Sequence, residues 1–231
     1  MMNMTINMTP LISVLQAHQF HAVIPEPLQF GRGLIVDLSP TSALWQSVSA
    51  NHSFADEIAR QSTAINAQIV IGRYAEQRLI YQDKANFNDS KNRTVHMGID
   101  LGVPSLTPVF APLDGKIHSM ANHQNEGDYG PTIILRHQLK GIDFFTLYGH
   151  LHQAAHTQLH VGDHIQVGQQ FTAIGTTAEN GGWAPHLHLQ IIENMGTNTD
   201  DYIGVVDPAE LDFYLRNCPN PNLILKRSDL D

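Results

Sequence analysis

Between about Thr94 and Ile192 the chain is a succession of short alternating or β-branched runs, cut by Gly, Pro, Asn and Asp at intervals of roughly 8 to 15 residues. That texture predicts antiparallel strands joined by tight turns and leaves little room for helices. Strands are expected over 95–102, 108–112, 115–122, 131–137, 143–150, 164–167, 170–174 and 186–192. The turn residues fall between them: Pro112, Asp114 and Gly115, then Gly127 and Gly130, Gly141, Gly162 with Asp163, Gly168, and the pair Gly181 and Gly182. The expected fold class is therefore mainly β, an antiparallel β-sandwich or barrel-like core with flanking helices at the N- and C-termini.

The flanks read differently. Thr9 followed by Pro10 is an N-cap and first-turn pair that opens a short apolar helix to about His18. Ser53 with Asp56 can cap a second helix through Ile58 and Ile65, ahead of a strand-like run over 67–75. Residues 1–85 form a mixed α/β region with no recognisable chemistry, 86–195 the β core, and 196–231 a polar loop, a helix from Pro208 to Asn217 and a tail that wraps the sheet.

Composition excludes several classes. At 231 residues, with 42% apolar and 15% charged side chains, the chain is globular. A net charge of −9 and the absence of any Lys/Arg cluster argue against nucleic-acid binding by a basic face. Cys218 stands alone, so no intrachain disulfide can form. There is no Lys or Arg before Arg32, and the early apolar stretch is broken by Gln16, His18, Gln19 and His21, unlike a secretory signal. No run approaches the roughly 18 to 20 apolar residues of a bilayer span, so membrane insertion is not expected and a cytoplasmic location is.

Histidine is abundant, with 14 residues. His118, His123, His137, His152, His156, His160 and His164 have no partner at ligand-like spacing and read as ordinary surface or half-buried histidines. Three strings are different: H-M-G-I-D at 96–100, Y-G-H-L at 148–151 and H-L-H at 186–188. On a strand, His186 and His188 point to one face about 7 Å apart. His96 and Asp100 share a face on a helix or on a strand, and the surrounding β texture favours the strand, with Gly98 between them leaving space for a metal or substrate. Two imidazoles and one carboxylate are the three protein ligands of a catalytic zinc site, which keeps its fourth position open.

Taken together, the motifs H-x-x-x-D, A-P-x-D-G-K-I at 111–117, L-Y-G-H-L at 147–151, V-G-D-H-I-Q-V-G-Q at 161–169 and P-H-L-H-L at 185–189 resemble the lysostaphin or LytM-type zinc metallopeptidases, in the family's own order. The likeness covers about residues 94–193. It implies one Zn2+ per chain held by His96, Asp100 and His188, with His150 and His186 as catalytic histidines. It also implies hydrolysis of a peptide bond by metal-activated water, in a peptidoglycan-type peptide or a small cytosolic one. H-E-x-x-H is absent, which excludes a thermolysin-like glutamate base. Asp100→Ala is expected to weaken zinc binding and leave the β fold largely intact. Trp183 can wall the substrate groove or pack its loop, and Arg93 can bind a substrate carboxylate or lie on the surface.

The span from T-V-H-M-G-I-D to C-P-N-P-N-L-I-L also resembles the metallopeptidase-like segment fused to class III aminotransferases. The rival class is a non-catalytic binding or regulatory module of the peptidase fold. The stretch from Val161 resembles a half-motif of lipoyl and biotinyl carriers, but no lysine lies within 150–190 to carry the cofactor. Regulators of this fold lose metal ligands, whereas all five polar positions are present here.

Overall fold

The computed structural model describes residues 9–49, 52–81, 87 and 92–230. Its strands are β1 (Gly33–Val36), β2 (Ile69–Gly72), β3 (Glu76–Gln77), β4 (Val95–His96), β5 (Ile99–Gly102), β6 (Pro108–Phe110), β7 (Gly115–His123), β8 (Gly130–Leu139), β9 (Ile142–Gly149), β10 (His164–Ile165), β11 (Gln170–Ala173), β12 (Leu187–Ile192) and β13 (Val205–Val206). The helices are α1 (Pro10–Ala17), α2 (Glu26–Gln29), α3 (Leu44–Ser47), α4 (Phe54–Ile65), α5 (Ala155–Gln158), α6 (Leu211–Asn217) and α7 (Asn222–Leu225). No helix among the described residues is long and apolar enough to cross a membrane.

Eight strands form one sheet in the order β1-β2-β5-β12-β9-β8-β7-β10. Its neighbours are antiparallel except for the parallel pair β1–β2. The protein is mainly β, as expected, but the sheet is mixed and open rather than barrel-like, because β1 and β10 remain its two edges. Smaller sheets pair β6 with β11, and β4 with β3 and β13.

β12 runs through the middle of the sheet and is buried along its whole length. With a period of two, Leu187, Leu189 and Ile191 join the main core with Ile99, Leu101, Ile133 and Leu135. Its other face presents His188, Gln190 and Ile192 toward a second apolar cluster containing Met97, Tyr202, Val206 and Cys218. Two polar side chains are thereby fixed inside the protein by the same alternation that builds the core.

The caps behave as their chemistry dictates. Thr9 Oγ1 accepts from the Ile12 amide to start α1, and Ser53 and Asp56 form a reciprocal capping box on α4. At the other end of α1, Lys226 Nζ donates to the Leu15 and Gln16 carbonyls, satisfying acceptors that the helix leaves open. α6 follows a 3-10 turn at Pro208–Glu210 and packs Leu211, Tyr214 and Leu215 on the second cluster.

His137 departs from the surface or half-buried reading. It is 2% exposed on β8, where Nδ1–H donates to the Asp114 carbonyl at 2.9 Å and Nε2 lies 2.7 Å from Thr146 Oγ1. Burial pushes its pKa down to about 4, so it is a neutral core residue.

Candidate metal centre

Asp100 on β5 stands in register with His188 on β12, and the row continues to Gly72 on β2 and Gly149 on β9. Residues opposite one another on antiparallel strands share a face. Asp100 and His188 therefore lie side by side, flanked by positions without side chains. His96 reaches them from another sheet, since the segment expected as one strand over 95–102 is interrupted after His96 and resumes at Ile99. The space at Gly98 is taken by the His188 ring rather than by metal or substrate: a Cβ there would lie 2.4 Å from His188 Cε1 and 2.7 Å from the Leu189 carbonyl.

His96 Nε2, His188 Nδ1 and Asp100 Oδ1 form a triangle with edges of 2.9, 3.1 and 3.1 Å. The other ring nitrogens have partners of their own. His96 Nδ1–H donates to the Arg73 carbonyl at 2.9 Å. The Gln190 amide donates through Nε2 to the Ile203 carbonyl and to Cys218 Sγ, so its oxygen accepts from His188 Nε2–H at 3.2 Å. Burial, reinforced by Arg78, lowers the pKa of His96 to about 4 and keeps it neutral. Burial alone would raise the Asp100 pKa, but His96 and Arg78 hold it well below the usual carboxylate range. Two imidazole nitrogens and one carboxylate oxygen thus converge within 3.1 Å of one another, an arrangement that suits a cation. Zinc bonds of about 2.0–2.1 Å to a tetrahedral ion place donors about 3.3–3.4 Å apart, close to the spacing found.

The other two strings arrive at the same place. His150 follows the end of β9 with φ +62°, a left-handed conformation uncommon outside glycine and held here by its amide donating to the Tyr129 carbonyl at 2.8 Å. Its ring centroid lies 4.1 Å from that of His186, which immediately precedes β12. Nδ1–H of His150 donates to the Asn180 carbonyl at 3.2 Å, and Nδ1–H of His186 to the Ala184 carbonyl at 2.7 Å. Each ring keeps its Nε2 lone pair, and His186 Nε2 lies 3.9 Å from Asp100 Oδ1. Burial lowers both pKa values, and the neighbouring histidines lower that of His150 further. All five residues line one cavity of about 740 Å³.

Residues 94–200 match the model of peptidase family M23. They are a peptidase family M23 domain. A protein of Haemophilus influenzae named an uncharacterized metalloprotease is 33% identical over 41% of this chain and 18% of its own length. Peptidoglycan DD-endopeptidase ShyC of Vibrio cholerae is 28% identical over 48% of this chain and 24% of its own. This chain therefore spans less than a quarter of either relative. Among solved structures, the catalytic domain of the antimicrobial peptidase lysostaphin from Staphylococcus simulans is 27% identical, covering 52% of this chain and 80% of that one with a TM-score of 0.36.

The M23 domain does not supply the whole site. Arg78, 2% exposed and from a region whose sequence carries no recognisable chemistry, donates through Nη1 to Asp100 Oδ2 at 2.6 Å and to the Tyr81 hydroxyl at 3.0 Å. Its Nε donates to Glu76 Oε2 and its Nη2 to the Arg73 carbonyl that also receives His96. Gly72 makes this possible, because a Cβ there would lie 2.6 Å from Arg78 Nη2. Nothing in the local sequence marks Arg78, since an isolated arginine is usually a surface residue. Gln190 had a signal in H-L-H-L-Q: on a strand it shares the face of His188.

Trp183 and Arg93 both line the cavity; the indole meets the Tyr81 ring edge-on at 6.4 Å and the guanidinium lies 5.7 Å from the Phe87 ring centre. Within the M23 domain, Gln190→Leu is expected to weaken metal binding by about 10- to 100-fold, because His188 loses the acceptor that fixes its tautomer. Competition against a chromophoric chelator measures this, and unchanged affinity would remove Gln190 from the site's support.

Proposed function

We propose that the protein is a zinc-dependent peptidase-type hydrolase that cleaves an amide bond, with His96, Asp100 and His188 as metal ligands and His150 and His186 as catalytic residues. The observation that carries this reading is the convergence of three donor atoms, two imidazole nitrogens and one carboxylate oxygen, within 3.1 Å of one another. That donor set suits zinc better than calcium or magnesium, which prefer oxygen throughout. A zinc ion held there would lower the pKa of water to about 7 and polarise the scissile carbonyl.

The chain's own residues supply the proton chemistry. With Nδ1–H committed to backbone carbonyls, His150 and His186 each present an Nε2 that can accept a proton from the attacking water. The ring that takes the proton becomes a donor, able to stabilise the oxyanion and then to protonate the leaving amine. Two rings with centroids 4.1 Å apart resist being charged together, so one proton at a time passes through the pair. A peptidoglycan-type peptide, the substrate class in the name of the Vibrio relative, is the first to test.

Hydrolysis of cross-linked cell-wall peptides should stop on chelation and return with added zinc. Activity indifferent to chelation would contradict metal dependence. Metal binding with no hydrolysis of any peptide would leave a binding module.

A further inference from the structure

The cavity that holds the donor atoms extends beyond the M23 domain. One arm is walled by Val36, Leu38, Phe54, Ile58, Val70 and Ile80, all outside residues 94–200. Its connection to the site follows from strand register. Gly72 pairs with Asp100 and Val70 with Gly102, so Val70 lies on the same face of β2 as Gly72, one step of about 7 Å along the strand from the residue opposite Asp100. α4 forms the opposite wall, with Phe54, Ile58 and the small Ala55 and Ala59 facing the cavity. Phe54, Ile58, Val70 and Ile80 remain only partly buried although they pack on Val36, Leu38 and Leu44. Two arginines line the cavity: Arg78, committed to Asp100, Glu76 and Tyr81, and Arg93, whose guanidinium lies 5.7 Å from the Phe87 ring centre.

An apolar crevice that opens on the donor atoms gains free energy when an apolar group leaves water to fill it. Because crevice and donor atoms share one cavity, the occupant is the substrate itself. We propose that this arm is a specificity pocket for a bulky apolar side chain, of the Leu, Ile, Met or Phe kind, beside the bond being cut. The protein then prefers such peptides over glycine- and alanine-rich ones. This inference rests on the peptidase reading and adds a substrate preference to it.

Two measurements on the zinc-loaded protein test it. In the first, a mixture of peptides varied on both sides of a central bond is digested and the cut sites are read by mass spectrometry. Cleavage beside large apolar residues should exceed cleavage beside glycine by at least about tenfold, the effect of a filled hydrophobic pocket. Ala55→Trp, at an exposed position on α4, should abolish that preference by lowering cleavage beside large apolar residues to the level seen beside glycine.

In the second, the uncharged fluorophore N-phenyl-1-naphthylamine should bind the wild type, be lost in Ala55→Trp, and be displaced by a leucine peptide but not by its glycine counterpart. Cleavage confined to glycine- or alanine-rich cell-wall peptides would overturn the pocket and keep the peptidase. If no peptide is cut, the peptidase reading fails, and the probe still reports on the arm: equal binding to both proteins, or none to either, refutes it.

Discussion

Replacing Asp100 by alanine is expected to empty the metal site and destabilise the fold in one step. The first effect follows from removing one of three donors. Affinity should fall by more than about a hundredfold, the upper range for losing a mere supporting partner of a ligand. The second revises the expectation that the β fold is left largely intact. Asp100 Oδ2 receives Arg78, and both groups are largely out of water, at 15% and 2% side-chain exposure. Truncating one partner of a buried pair leaves an uncompensated charge and costs about 3–5 kcal/mol, here at the lower end because Glu76 still receives Arg78 Nε at 3.0 Å.

The two effects separate with companion variants. Asp100→Asn keeps an oxygen for Arg78 and should recover much of the stability while still binding metal poorly. In the Asp100→Ala background, Arg78→Met should raise the denaturation midpoint, since it removes the stranded guanidinium. Urea titration and chelator competition read stability and metal independently. A metal-replete Asp100→Ala protein of wild-type stability would contradict both assignments.

Replacing His150 should do the reverse, keeping metal while abolishing turnover. Asparagine is the appropriate substitute, because residue 150 has φ +62° and asparagine tolerates that region better than alanine. His150 contributes no atom to the donor triangle, so His150→Asn should bind zinc as the wild type does. Loss of general acid–base catalysis costs about a hundredfold to ten-thousandfold in kcat. Turnover within a few-fold of wild type would remove His150 from the mechanism, and loss of metal would make it part of the ligand set.

Much of this architecture was legible in the chain because it is local. The strands after Thr94 are bounded by Gly, Asp and Pro, and their period of two is written in runs such as L-H-L-Q-I-I. The N-caps at Thr9 and Ser53 are equally local. Long-range packing was not legible. The β1–β2 pair joins residues 36 positions apart in parallel, and β2 then adds to β5, which no nearby pattern specifies. Arg78 acts across 22 positions on Asp100, and its own neighbourhood would look the same had it faced water.

The site was legible for a different reason. Five polar residues on three short strings converge only if the strings lie on adjacent elements, and their resemblance to known peptidases in type and order supplied that adjacency. Periodicity alone left His96 and Asp100 compatible with helix or strand, and it missed the break between β4 and β5 that brings His96 in from another sheet. It also assigned to Gly98 a space that the His188 ring occupies.

The most direct test is elemental analysis of the purified protein and of His188→Ala, each supplied with zinc and freed of excess. About one zinc per wild-type chain is expected and essentially none in the variant, which loses the donor between Gln190 and the other two proposed ligands. A wild type that takes up no zinc, or a variant that keeps a full complement, would contradict the metal centre on which the function is built.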